Sequence, residues 1–196
     1  MFMKNKSLRA NKILGVVGSP RKNGNTHILV SRILDGARES GAETEILFLS
    51  DLHIRECDGC HVCWKGNLCS KKDDMLDVYP KIIQSDVIVF GTPVYWYGPT
   101  ALMKCFIDRM VYFNCPRNRP KIRGKAAVIA VPFEEDNTKT ATLLVKFFEK
   151  SLQYLEMKLV RKILVPGVSK RGDILKKEDL LEKAFNLGIR LARYQP

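Results

Sequence analysis

Ile13-Leu14-Gly15-Val16-Val17, running into Gly18-Ser19-Pro20-Arg21-Lys22-Asn23-Gly24-Asn25-Thr26, is the stretch from which the rest of the chain can be read. The apolar run is that of a strand buried on both faces of a parallel sheet. After it, Ile28, Leu29, Ile33 and Leu34 recur at the spacing of one helix face. A loop of small and hydroxyl residues between strand and helix leaves backbone N–H groups unpaired, and the helix start adds the positive end of its dipole. Ser19 and Thr26 offer hydroxyls, Asn25 an amide and Arg21 a charge, a set suited to a phosphate dianion. The loop lacks the Gly-Lys-Ser/Thr of a Walker A sequence and the G-x-G-x-x-G of the dinucleotide fingerprint. On local pattern alone, a Ser/Pro/Asn/Gly turn capping a helix competes with the phosphate reading.

Downstream, apolar runs and helical patterns alternate. Strands are expected at Lys12–Val17, Glu43–Leu49, Asp86–Gly91, Lys125–Val131 and Leu159–Pro166. Helices are expected at Gly24–Ser40, Asp73–Gln84, Pro99–Phe113, Asn137–Leu155 and Lys177–Tyr194, with Pro99 near the first position of its helix. This order predicts an α/β fold: a flavodoxin-like, doubly wound, five-stranded parallel sheet of order 2-1-3-4-5 with helices on both faces. Ligands in such a sheet lie beyond the carboxyl ends of the strands, where strands one and three part. Residues 1–11 read as a loose basic leader, and 12–196 as a single domain with a cysteine-rich insertion at about 50–70.

The switch-point rule brings Gly91-Thr92-Pro93-Val94-Tyr95-Trp96-Tyr97-Gly98-Pro99 opposite the first loop. Its aromatics and exposed backbone suit a flat heteroaromatic ring with a polar edge. Taken alone, the same residues would equally serve as a hydrophobic plug or an oligomer contact.

Four of the chain's 6 cysteines form the run Cys57-x2-Cys60-x2-Cys63-x5-Cys69. Thiolates so crowded repel one another unless protonated, oxidised or metal-bound. The spacing is close to that of ferredoxin cluster ligands, whereas structural zinc more often uses two separated Cys-x2-Cys knuckles. Zinc and redox-active thiols remain competing readings. Cys105 and Cys115 read as buried or incidental thiols, and His27, His53 and His61 lack a ligand-like spacing.

Gly18-Ser19-Pro20-Arg21 with Gly24-Asn25-Thr26, Gly91-Thr92-Pro93-Val94-Tyr95, Leu102-Met103-Lys104 and Ile107-Asp108-Arg109 together resemble the NAD(P)H-dependent FMN reductases, over roughly residues 12–166. The resemblance implies bound FMN, its phosphate on Ser19, Arg21, Asn25 and Thr26 and its ring on Pro93, Val94, Tyr95, Trp96, Tyr97 and Gly98. Within that superfamily the cysteine run, followed by Asp73-Asp74-Met75, resembles the iron–sulfur flavoproteins. That likeness implies a 4Fe–4S cluster on Cys57, Cys60, Cys63 and Cys69. The loop after the fourth strand departs from the family's glycine-rich form and reads Val131-Pro132-Phe133-Glu134-Glu135-Asp136-Asn137-Thr138. Its three acids sit poorly beside an anionic flavin, so it is left out of the expected site.

Composition bounds the rest. A hydrophobic share of 45% with 28% charged residues is that of a soluble globular protein. No run reaches membrane-span length and no signal-peptide core follows the first charges, so a cytoplasmic protein is expected. The net charge of +12 is spread along the chain without interleaved aromatics, which argues against a nucleic-acid binder and for a surface attracting anionic ligands. The expected function is an FMN-dependent oxidoreductase. NAD(P)H or an acidic reduced ferredoxin would be donor, and a quinone, another small molecule or a protein acceptor. A homodimer or homotetramer is expected. The alternatives are an electron carrier or redox sensor without its own substrate, a cluster-free flavin reductase, and a zinc-bearing binding module.

Overall fold

The computed structural model describes residues 9–195. Its ten principal elements are β1 (Lys12–Val17), α1 (Asn25–Glu39), β2 (Glu43–Phe48), α2 (Met75–Gln84), β3 (Val87–Gly91), α3 (Ala101–Arg109), β4 (Ala126–Pro132), α4 (Thr142–Tyr154), β5 (Lys158–Val165) and α5 (Glu178–Ala192). The strands are all parallel and ordered β2-β1-β3-β4-β5, as expected.

Strand alternation builds two cores. Ile13, Val17, Val87, Val89 and Val128 point toward α1 and α5, while Leu14, Val16, Ile88, Phe90 and Ile129 point toward α2, α3 and α4. The central strands are buried on both faces, which is why β3 and β4 read as unbroken apolar runs. The edge strand β5 carries exposed Lys158, Arg161 and Lys162, which discourage pairing with another sheet. Val160 is an extra residue there, since Ala127 pairs with Leu159 and Val128 with Arg161. Helices α1 and α5 meet at two glycines: a Cβ on Gly36 would strike the Phe185 carbonyl, and one on Gly188 the Ile33 carbonyl.

Both ends of the third helix differ from expectation, and the fourth begins at Thr142 rather than Asn137. Helix α3 starts after Thr100, whose hydroxyl accepts from Met103 N at 3.2 Å as the cap, so Pro99 lies outside the helix. Beyond Arg109 the chain tightens into a 3-10 turn at Met110–Asn114, where the Tyr112 carbonyl takes a hydrogen bond from buried Asn118. Residues 1–8 of the expected leader lie outside the described residues, but Arg9 and Asn11 are fastened. Arg9 pairs with Asp86 at 2.8 Å, and Asn11 Nδ2 donates to the carbonyls of Leu191 and Tyr194. Among the described residues, no helix is long and apolar enough to cross a membrane.

Candidate functional site

The loop after β1 is folded by its own polar groups. Gly24 N donates to Arg21 O at 3.1 Å, and Arg21 N to Ser19 Oγ at 3.2 Å. Asn23, at φ 56°, donates its N–H to His27 Nδ1 at 3.0 Å. That bond requires Nδ1 unprotonated, and burial lowers the His27 pKa accordingly. Sequence reasoning passed over His27 because it looked for ligand spacing; its signal is the four-residue reach back to Asn23.

Two contacts lock this loop to the loop after β3, and a third braces the second loop itself. Gly18 N donates to Gly91 O at 2.8 Å, Thr100 Oγ1 donates to Gly18 O at 2.5 Å, and Thr100 N donates to Thr92 Oγ1 at 3.2 Å. One cleft of about 150 Å³ results, lined by Ser19, Arg21, Asn25 and Thr26 from the first loop and Pro93, Val94 and Tyr95 from the second. Trp96, Tyr97 and Gly98 do not line it. They form a tight turn in which Tyr95 and Gly98 exchange both backbone hydrogen bonds, at 2.8 and 3.0 Å. Its central residues, Trp96 and Tyr97, have φ of 49° and 62° and are 96% and 58% exposed. Positive φ is costly for bulky side chains, and held strain of this kind clusters at functional sites.

Two further walls were absent from the expected site. Pro132, Phe133 and Glu134 line the cleft, so the acidic loop belongs to it after all; Glu135 and Asp136 do not line it. Val168, Ser169 and Arg171, from the connection after β5, complete it. That connection has no motif of its own and is brought in by Asn25. The Asn25 amide is engaged at both ends: Nδ2 donates to Lys170 O at 3.0 Å, and Oδ1 accepts from Ile174 N at 3.2 Å.

The cysteine segment closes a second, smaller cavity of about 40 Å³. Cys57, Cys60, Cys63 and Cys69 all line it, with His61, Trp64, Lys71, Tyr79, Arg109 and Val111. The segment turns at Gly59, His61 and Gly66, at φ of 69°, 58° and 82°. Lys71 Nζ meets Asp58 Oδ2 at 2.9 Å, and Cys60 N donates to Asp58 Oδ1 at 3.2 Å. Arg109, at the end of α3, anchors the wall: it donates to both oxygens of Asp73, to Arg55 O at 2.8 Å and to Cys69 Sγ at 3.4 Å. Burial is the largest influence on Asp73 and raises its pKa, but the Arg109 hydrogen bonds and charge together with the backbone N–H groups of Arg55 and Met75 hold the carboxyl below its usual range. Burial pushes the Cys63 thiol up, and the charges of Cys69, Cys57 and Cys60 add to the shift. All four cysteines are free thiols. Among the described residues, no three His, Cys, Asp or Glu side chains are grouped around one metal-ion position. The segment leaves β2 at the same sheet edge as the two cleft loops, yet its cavity closes against the far end of α3.

Residues 11–163 match the NADPH-dependent FMN reductase family. The chain belongs to that family. Its members are oxidoreductases, and the match spans the cleft loops after β1, β3 and β4 as well as the cysteine segment, while the connection after β5 lies beyond it. The chain is 32% identical to an iron–sulfur flavoprotein of Archaeoglobus fulgidus over 163 residues, covering 83% of this chain and 80% of that one. A second iron–sulfur flavoprotein of the same organism is 37% identical over 114 residues, 58% of this chain. There the match spans 50% of the relative's length, so the chain covers about half of that protein. The fold is also that of the Trp repressor binding protein from Bacillus subtilis, with TM-score 0.67, 23% identity, and coverage of 89% of this chain and 96% of that one.

Proposed function

We propose that this chain is an FMN-dependent oxidoreductase that takes electrons from NAD(P)H and also holds a 4Fe–4S cluster. The observation that carries the reading is the cleft at the split between β1 and β3, in which a loop closing on a helix N-terminus faces Pro93-Val94-Tyr95. Its residues fit the flavin: Arg21 and Arg171 form no ion pair with a described residue, and the start of α1 adds unpaired N–H groups for a phosphate. Bound FMN would supply the exchange between two-electron donors and one- or two-electron acceptors.

The protein's part is placement. Ser19, Arg21, Thr26 and the α1 N-terminus hold the phosphate end, and Pro93 to Tyr95 shape the ring end. The exposed turn Trp96-Tyr97 covers the ring or meets a second subunit, in keeping with a homodimer or homotetramer. No side chain is needed as an acid or base.

The cysteine cavity fits a cluster by its donor set. Four free thiols line one cavity beside an arginine that already donates to Cys69, and Arg109 Nε is buried without an acceptor among the described residues. A single zinc ion needs its donors gathered around one point, whereas a cubane offers each thiolate its own iron. The cluster would supply a one-electron store.

An anaerobic absorption spectrum, with flavin, iron and sulfide assayed on the same sample, tests both parts. Flavin bands with near-equal iron and sulfide are expected, the iron falling in Cys63→Ser. Flavin without iron removes the cluster and leaves the reductase; no flavin after added FMN removes the central reading. An electron carrier without its own substrate would show flavin and iron but almost no NAD(P)H turnover with quinone or free flavin.

A further inference from the structure

Asn25 was expected to bind phosphate through its side chain, yet that side chain is spent on the connection after β5. Its two hydrogen bonds fall on Lys170 O and Ile174 N, bracketing Arg171-Gly172-Asp173. The bracketed turn is closed from within: Lys170 N donates to Asp173 Oδ2 at 2.7 Å, Leu175 N donates to Gly172 O at 2.9 Å, and Gly172 takes φ 83°. Arg171 is therefore held one residue from an anchor on the first residue of α1. It lines the same cleft as Ser19, Arg21 and Thr26, and Ser169 lines it too.

Arg21 and Arg171 are the arginines that line the cleft, and neither pairs with a carboxylate among the described residues, although Glu134 shares their cleft. Two unpaired guanidiniums and a helix N-terminus, set against the one carboxylate of Glu134, leave the site positive. A phosphate monoester carries close to two negative charges at pH 7, and a guanidinium fork binds it in charge-assisted hydrogen bonds.

We propose that Arg171 is a second guanidinium ligand of the flavin phosphate, opposite Arg21, and that Asn25 acts as the clamp that positions it. The inference rests on the FMN reading of the cleft. It goes further by specifying the ligand: the connection after β5 selects a phosphomonoester over the unphosphorylated ribityl chain of riboflavin.

The test is fluorescence titration of the full apoprotein with FMN and with riboflavin, for wild type and Arg171→Gln. The variant should bind FMN about tenfold more weakly or worse, the loss of one charge-assisted hydrogen bond. Riboflavin affinity should stay unchanged, which also reports that the variant is folded. Arg171→Lys should recover part of the FMN affinity, and Asn25→Ala should lower the FMN preference as Arg171→Gln does. An unchanged ratio of FMN to riboflavin affinity in Arg171→Gln overturns the proposal and leaves the flavin reading intact. So does a variant that keeps its FMN affinity and only raises the KM for NADPH. A wild-type chain that binds neither flavin overturns both.

Discussion

Arg109 and Asp73 meet in a two-pronged ion pair, Nη1 to Oδ2 at 2.6 Å and Nη2 to Oδ1 at 3.0 Å, with side chains 1% and 0% exposed. The same guanidinium reaches Cys69 Sγ and the Arg55 carbonyl, so one side chain fastens both ends of the cysteine segment to α3. The other end of α3 is fastened to the loop after β1 through Thr100 and Gly18. At 9 residues the helix is about 14 Å long, and it joins the two cavities as a rigid strut.

Removing one partner of a buried pair strands the other charge. Arg109→Met should cost about 3–5 kcal/mol in urea unfolding. Arg109→Met with Asp73→Leu should be less damaging than the single change, since no charge is then left unpaired. A single variant within about 1 kcal/mol of wild type would contradict the buried geometry.

Thr100 caps α3 and also satisfies the Gly18 carbonyl. Thr100→Val keeps the shape but loses both bonds, so unfolding stability should fall by roughly 2 kcal/mol, the sum of a lost cap and a lost buried hydrogen bond. FMN affinity should fall with it, because Gly18 begins the loop proposed to hold the phosphate. Stability loss with unchanged FMN affinity would separate the two loops.

His27 makes the apoprotein sensitive to mild acid. Its folded pKa is depressed below 6.5 by burial, so the unfolded chain takes up the proton first. The contribution is therefore complete above pH 6.5 and is lost as the pH falls through the lower, folded value. Urea midpoints at pH 7.5 and 5.5 should differ more for wild type than for His27→Phe. Apoprotein is the right sample, because the flavin phosphate itself titrates near pH 6.

The turn Tyr95–Gly98 places two bulky residues where Asn-Gly is the usual occupant. Trp96→Asn with Tyr97→Gly should raise apoprotein stability by about 1–2 kcal/mol by relieving left-handed strain. Flavin binding or subunit association should weaken in the same variant, measured by titration and light scattering. A variant that is neither more stable nor weaker in either property would make the turn incidental.

Sheet order was legible because each buried parallel strand is an apolar run and each crossover a helical pattern, as Val87–Gly91 and Asn25–Glu39 illustrate. The first loop and Pro93-Val94-Tyr95 were legible for a related reason: strand order alone brings them together. The end of α3 was less so, since nothing local in Met110–Asn114 announces a 3-10 turn that depends on distant Asn118.

Local order along the chain thus settles the alternation of strands and helices, the phosphate-type loop and the clustering of the thiols, because each depends on residues within a few positions of one another. The walls from Phe133 and Arg171, the two-ended use of Asn25 and the burial of Arg109 against Asp73 depend on partners 36 to 149 positions apart. No periodicity links such residues; the packing of helices on the sheet decides which unpaired donor meets which acceptor.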